Sequence, residues 1–208
     1  MLPDTGFLSS TLGEPLGLDL RFNVITGDGS VDTLSVAERE QFQTLESTPR
    51  AKSWLLGRAA LRRLRAELDE CDDVDELTFP NPRFSLTHSN DVALAVAEPS
   101  GCLDGIGVDL EIDARIQSAA ARFFLTDREQ SWLRSQKPER WPLHLLRLWC
   151  IKEAVFKANP GNAGQTLADY ELACPGDARG EARTLAGQDV EYASWCESRT
   201  CVALAVCR

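Results

Sequence analysis

Positive charge, histidine and long apolar runs are all scarce in this chain. Lys and Arg number 22 against 32 Asp and Glu, a net charge of −10. That deficit excludes general nucleic-acid binding, which needs a basic surface. With two histidines and seven cysteines, and no Cys-x-x-Cys pair, the chain lacks the ligand spacing of a structural zinc site. An odd number of cysteines also argues against a disulfide framework and for the reduced thiols of a cytoplasmic protein. No apolar run approaches the roughly 18 residues of a membrane span. Residues 1–6 have no basic segment leading into an apolar one, as a secretory signal requires. A Gly-rich phosphate loop and a Gly-x-Ser-x-Gly elbow are missing too.

What is present is ordinary in bulk: 208 residues, 43% hydrophobic and 26% charged, enough for one large domain or two small ones. Leu18, Leu20, Phe22 and Val24 alternate with polar residues and read as an early strand. Ser35 and Glu38 form a capping box for a short helix to about Leu45. Thr48-Pro49 opens a longer helix to about Leu68, with Pro49 at its first position. The acidic stretch from Glu67 to Glu76 reads as a solvated connection. Strands follow near Phe84–Thr87, Val92–Ala97 and Leu103–Glu111, then helices near 116–124, 126–135 (capped by Thr126 and Glu129) and 141–158, which Pro160-Gly161 stops. The remainder reads as strands near Tyr170–Ala173, Val190–Ala193 and Cys201–Val206.

The chain repeats itself faintly. Val92-Ala93-Leu94-Ala95-Val96 returns as Val202-Ala203-Leu204-Ala205-Val206. Glu38-Arg39-Glu40-Gln41 is echoed by Asp127-Arg128-Glu129-Gln130, and the Trp54–Ala59 stretch by Trp149–Ala154. Three echoes in the same order favour an internal duplication, each half a small helix-plus-sheet unit with the site between them. Only the second copy carries a carboxylate in its Trp-helix, since Arg58 stands where Glu153 stands.

Two stretches carry chemistry. In Gly107-Val108-Asp109-Leu110-Glu111 the strand period sends Asp109 and Glu111 from one face, with Gly105 and Gly107 leaving room there for a ligand. In Trp149–Lys157 the helical period stacks Glu153 and Lys157 one turn apart. Three carboxylates and a lysine suit a hard cation and phosphate chemistry. Each piece also has a plain reading: an exposed strand edge, an i,i+4 helix pair worth about 0.3–0.5 kcal/mol, and, for His88, a hydrogen-bonded structural histidine. Arg58, Arg62 and Arg65 share a helical face that reads equally as solvated surface or as an anion patch.

Taken in order, Phe84-x-x-x-His88-Ser89, Gly-Val-Asp-Leu-Glu (107–111), Arg122-Phe123-Phe124 and Trp149-x-x-Lys-Glu-Ala-x-x-Lys157 resemble the surfactin-type 4′-phosphopantetheinyl transferases, over roughly residues 35 to 165. The resemblance implies an α+β fold of two pseudo-symmetric subdomains, 1–104 (coenzyme A-binding) and 105–208 (metal-binding and catalytic), each a small, mainly antiparallel sheet packed on helices. The site would lie in the cleft between them. It implies transfer of the 4′-phosphopantetheine arm of coenzyme A to a serine hydroxyl of an apo acyl- or peptidyl-carrier protein. 3′,5′-ADP would be released, and the enzyme would be a magnesium-dependent monomer free of nucleic acid and membrane. Asp109, Glu111 and Glu153 match the magnesium ligands, Glu153 also the base, and Lys157 a lysine at the reacting phosphates. Thr87, His88, Arg50, Lys52, Ser53, Arg83, Asp109, Lys152 and Lys157 fall among the coenzyme A contacts. Phe79-Pro80-Asn81-Pro82-Arg83 stands where that family usually carries Gly-Lys-Pro, so Arg83 is the charge available there. Two other classes remain open: a coenzyme A or carrier-protein binding module without catalysis, and a magnesium-dependent phosphoanhydride hydrolase.

Overall fold

Two antiparallel sheets, each lying against one long helix, build the molecule in a computed structural model that describes residues 3–71 and 74–208. The first sheet has strand order β1-β3-β2, from β1 (Arg21–Thr26), β2 (Phe84–Ser89) and β3 (Val92–Ala97). Helix α3 (Ala51–Glu67) covers it, preceded by the short helices α1 (Thr5–Leu8) and α2 (Val36–Leu45). The second sheet runs β4-β8-β7-β6-β5, from β4 (Gly105–Glu111), β5 (Glu171–Leu172), β6 (Arg179–Arg183), β7 (Asp189–Glu197) and β8 (Thr200–Cys207). Helices α4 (Ala121–Phe124) and α5 (Asp127–Ser135) lead into α6 (Trp141–Ala158), which packs on β4, β8 and β7.

The faint repeat in the sequence is a repeat of topology. Strand, short helix, long helix and hairpin occur twice, and β1-β3-β2 corresponds to β4-β8-β7. The identical pentapeptides are the bodies of β3 and β8. Both capping boxes form, Ser35 with Glu38 and Thr126 with Glu129. Each of those glutamates is buried and paired with its half's long helix, Glu38 with Arg62 and Glu129 with Lys152 at 2.7 Å. Register fixes the divergence: Ile25 opposes Ala93 as Asp109 opposes Ala203, so the first half carries isoleucine where the second carries aspartate.

Strand β4 is buried on both faces. Ile106, Val108 and Leu110 enter a core shared with Leu8, Phe22 and Leu94, which draws on both sheets. The opposite face meets α6 at very short range. A Cβ on Gly105 would stand 1.9 Å from the Ala158 carbonyl oxygen, and one on Gly107 2.0 Å from that of Ala154. These glycines therefore admit a helix backbone rather than a ligand, which corrects the expectation for them. The sheets meet where β2 lies beside β4. Backbone N–H groups of Val108, Leu110 and Ile112 donate to the hydroxyls of Ser85, Thr87 and Ser89 at 3.0, 3.2 and 2.9 Å. A hydroxyl at every second residue of β2 replaces the missing backbone ladder and satisfies donors that burial would otherwise penalise.

Several local expectations shift. Helix α3 starts at Ala51, so Pro49 precedes the helix instead of opening it; Thr48 Oγ1 accepts from Arg50 N at 3.3 Å. The N-terminal helical turns around Leu8, Leu12 and Leu16 and the strand β6 had no periodic signal. The 67–76 connection is not simply solvated, because Val74 is fully buried and Glu67 accepts from Asn23 Nδ2 at 2.7 Å; Asp72 and Asp73 lie outside the described residues. Cys196 and Cys201, directly opposed on β7 and β8 with Cα atoms 4.1 Å apart, form a disulfide, against the expectation of reduced thiols throughout. The other cysteines are free, Cys150 and Cys207 buried and Cys71, Cys102 and Cys174 exposed.

Candidate active site

Asp109, Glu111, Trp149, Glu153 and Lys157 line one cavity of about 330 Å³ with Leu86, Thr87 and His88. Strand β4 supplies the first two and helix α6 the next three, brought together by the glycine contact between those elements. Lys157 Nζ donates to Asp109 Oδ1 at 2.7 Å and to the Val108 carbonyl at 3.1 Å. Thr87 Oγ1 donates to the same Asp109 Oδ1 at 3.1 Å. Asp109 Oδ2, equally buried, has no hydrogen-bond partner among the described residues. Trp149 Nε1 donates to Glu111 Oε1 at 3.0 Å.

The electrostatics follow from this crowding. Burial and the Asp109 charge raise the Glu111 carboxyl to about 7, although the Trp149 indole and Lys157 pull it down. Burial also raises Glu153, Lys157 opposing and Asp109 assisting. For Lys157, burial works against the charge, but Asp109 and then Glu153 outweigh it and its pKa is raised. His88 is lowered by burial and by Lys157, so it stays neutral near pH 7. Three acids share one small space with one cation beside them.

Among the described residues no three His, Cys, Asp or Glu side chains are arranged to hold a metal ion unaided. The residues present nevertheless fit a hard divalent cation completed from outside. The set offers carboxylate oxygens only, one of them an orphaned buried oxygen, and it holds excess negative charge.

A second cavity, about 360 Å³, opens beside the first and shares Leu86 and His88 with it. Arg50 and Ser53 at the start of α3 line it with Gln41, Trp54, Arg58 and Phe79. As a site residue Gln41 had no signal in the sequence, Phe79 stood out only within the segment that replaces Gly-Lys-Pro, and Trp54 only as an echo of Trp149 in a stretch (54–58) similar to the family's first-half helix. Arg58 sits over the Trp54 ring at 5.0 Å and donates to the Val74 carbonyl at 2.9 Å. Arg62 and Arg65 are tied to Glu38 and Glu70, so the basic face is mostly spent internally.

Three expected contacts with coenzyme A lie elsewhere. Lys152 is fully buried behind the site, its ammonium held by Glu129 at 2.7 Å and by the Tyr170 carbonyl; one step along a helix turns a side chain about 100° away from Glu153. Lys52 is held by Asp28 and Asp91 at 2.8 and 2.7 Å, and does not line the cavity. Arg83 pairs with Glu70 at 2.5 Å and stacks over Phe84 at 5.3 Å. Thr87 does reach the site, but 4% exposed and with its proton given to Asp109.

Residues 105–207, about half of the chain, match the model of the 4′-phosphopantetheinyl transferase superfamily. The 4′-phosphopantetheinyl transferase AcpT of Salmonella typhi is 28% identical over 151 residues, 67% of this chain and 76% of that protein. The 4′-phosphopantetheinyl transferase psf-1 of Bacillus pumilus is 30% identical over 114 residues, 46% of this chain and 47% of that protein, so the chain spans about half the length of this second relative. A solved structure, the holo-[acyl-carrier-protein] synthase of Thermotoga maritima, aligns with a TM-score of 0.40 and 21% identity over 51% of this chain and 64% of that one, a likeness too low to carry weight. By the family match and its two curated relatives, the chain belongs to the 4′-phosphopantetheinyl transferase superfamily and is an enzyme of that transferase class.

Proposed function

We propose that this chain is a surfactin-type enzyme that moves the 4′-phosphopantetheine arm of coenzyme A to a serine hydroxyl of an apo acyl- or peptidyl-carrier protein, with magnesium and with release of 3′,5′-ADP. The observation that carries the reading is the convergence of Asp109, Glu111, Glu153 and Lys157 in one cavity that shares Leu86 and His88 with the cavity lined by Arg50. The two together suit a ligand with a pyrophosphate at one end and a nucleotide phosphate at the other. Asp109, Glu111 and Glu153 are the residues that would hold magnesium. Their failure to form a closed cage suits this ion, which keeps waters and takes further ligands from substrate phosphates. When bound, magnesium supplies charge neutralisation at the pyrophosphate.

The side chains account for the rest. Lys157, held charged by Asp109, adds positive charge at the transferring phosphoryl group. Glu153 takes the serine proton as the hydroxyl oxygen attacks the phosphorus that bears the pantetheine arm. The bond from that phosphorus to the bridging oxygen of the pyrophosphate breaks, and 3′,5′-ADP leaves with that oxygen on its 5′-phosphate. The raised pKa of Glu153 brings it nearer the working pH of a general base. Arg50 and Ser53 lie where a nucleotide 3′-phosphate would reach, and neutral His88 bridges the two cavities. Both cavities come from one chain, which supports a monomer. No helix among the described residues is long and apolar enough to cross a membrane. A cytoplasmic location suits coenzyme A as substrate, and the Cys196–Cys201 disulfide is the observation set against it.

Incubation with coenzyme A, magnesium and a panel of apo carrier proteins should add one phosphopantetheine mass to at least one carrier. Coenzyme A binding without mass addition would point to a binding module. Release of 3′,5′-ADP without any carrier would point to a hydrolase.

A further inference from the structure

The hydroxyl seam between β2 and β4 is not uniform. Ser85 and Ser89 each accept one backbone N–H, from Val108 and Ile112. Thr87 accepts the Leu110 N–H at 3.2 Å in the same way, and its own proton goes to Asp109 Oδ1 at 3.1 Å. We infer that Thr87 is a positioning residue, whose hydroxyl fixes the Asp109 carboxylate so that Oδ2 faces the metal, and that it does not itself contact coenzyme A. This role rests on the metal reading above.

The geometry leaves the carboxylate little freedom. Thr87 and Lys157 approach Oδ1 from β2 and from α6, so that oxygen is satisfied from two different elements beside β4. Oδ2 is then the orphan. A buried carboxylate oxygen without a partner costs free energy unless a ligand completes it, and the donors at Oδ1 prevent rotation that would exchange the two. The β-branched side chain of Thr87 restricts its own χ1, which keeps the hydroxyl on the seam. Because the N–H of Leu110 donates to the oxygen whose proton binds Asp109, the two bonds polarise in series and reinforce each other. The first half thereby sets the geometry of a ligand that belongs to the second.

Three variants test this, read by Mn²⁺ binding in the presence of coenzyme A (electron paramagnetic resonance) and by the magnesium concentration for half-maximal transfer. Thr87→Val keeps the branched shape and removes the hydroxyl. It is expected to weaken metal binding and to raise the magnesium requirement by about 10–100-fold, with the KM for coenzyme A at saturating magnesium little changed. Thr87→Ser restores the hydroxyl and should recover metal binding to within a few fold. Ser89→Ala removes a neighbouring seam bond that touches no carboxylate, and should leave metal binding as in the wild type. Equal metal binding by wild type and Thr87→Val, or an equal loss in Ser89→Ala, overturns the role of Thr87 alone. A wild-type protein that binds no Mn²⁺ overturns the metal reading and this role with it.

Discussion

At the residue scale, two neighbours on α6 separate chemistry from architecture. Glu153 faces the cavity with Asp109 and Lys157, whereas Lys152 points into the core behind it. Glu153→Gln should preserve the melting temperature to within a few degrees and lower transfer by about 10²–10⁴-fold, the span of a lost general base. Lys152→Met should do the reverse. It strands the Glu129 carboxylate, which also accepts from Thr126 N and Leu172 N at 2.8 Å each, and breaking such a pair from one side costs about 3–5 kcal/mol. Thermal unfolding together with transfer kinetics on the surviving folded fraction distinguishes the two. A changed KM for coenzyme A at unchanged stability in Lys152→Met would return that lysine to the site. The motif was legible because Asp109, Glu111, Glu153 and Lys157 have their own periodicities. The inward turn of Lys152 was not, since its partner Glu129 lies 23 positions earlier and the pairing exists only once α5 packs on α6.

Elements place the site through one unusual contact. The α6 backbone rests on β4 at Gly105 and Gly107, close enough that a methyl group at either would meet a carbonyl oxygen. Gly107→Ala should therefore push α6 from β4. The expected result is destabilisation by at least the roughly 1–3 kcal/mol typical of overpacking, since backbone cannot yield as a side chain end does. It should also abolish transfer, because Glu153 and Lys157 move with the helix. Chemical denaturation compared with Gly17→Ala provides the scale, Gly17 having nothing within 4 Å of its Cβ position though its φ of 70° adds backbone strain. A Gly107→Ala protein as stable and active as the parent would remove the glycine contact from the account of the site. Alternation along β4 identified which side chains share a face. It suggested ligand space at the glycines because a helix arriving from 50 residues downstream leaves no trace in the local pattern. For the same reason, β6 (Arg179–Arg183) went unread: its burial is largely that of an exposed strand with one buried residue, Ala182.

Over the whole molecule, a repeated topology does not amount to two independent bodies. The proposed boundary at 104/105 falls just before β4, yet the β4 face of Ile106, Val108 and Leu110 packs with Leu8, Phe22 and Leu94 from the other side of it. Cutting there exposes that apolar face and leaves the N–H groups of Val108, Leu110 and Ile112 without the hydroxyls of Ser85, Thr87 and Ser89. The 105–208 half alone also loses Thr87 and His88 from its cavity. Residues 105–208 expressed separately should therefore lack dispersed amide resonances and bind a hydrophobic dye, and the 1–104 fragment should behave likewise. Mixing or co-expressing the two should restore a folded complex, and with it transfer activity. Intact protein should unfold in one transition whether followed by tryptophan fluorescence or by far-ultraviolet circular dichroism. Two separated transitions, or a 105–208 half that folds alone, would mean that the hydroxyl seam and the shared core bind the sheets less tightly than the β4 packing requires. The active site would then be assembled by docking of two finished units, and not by folding as one.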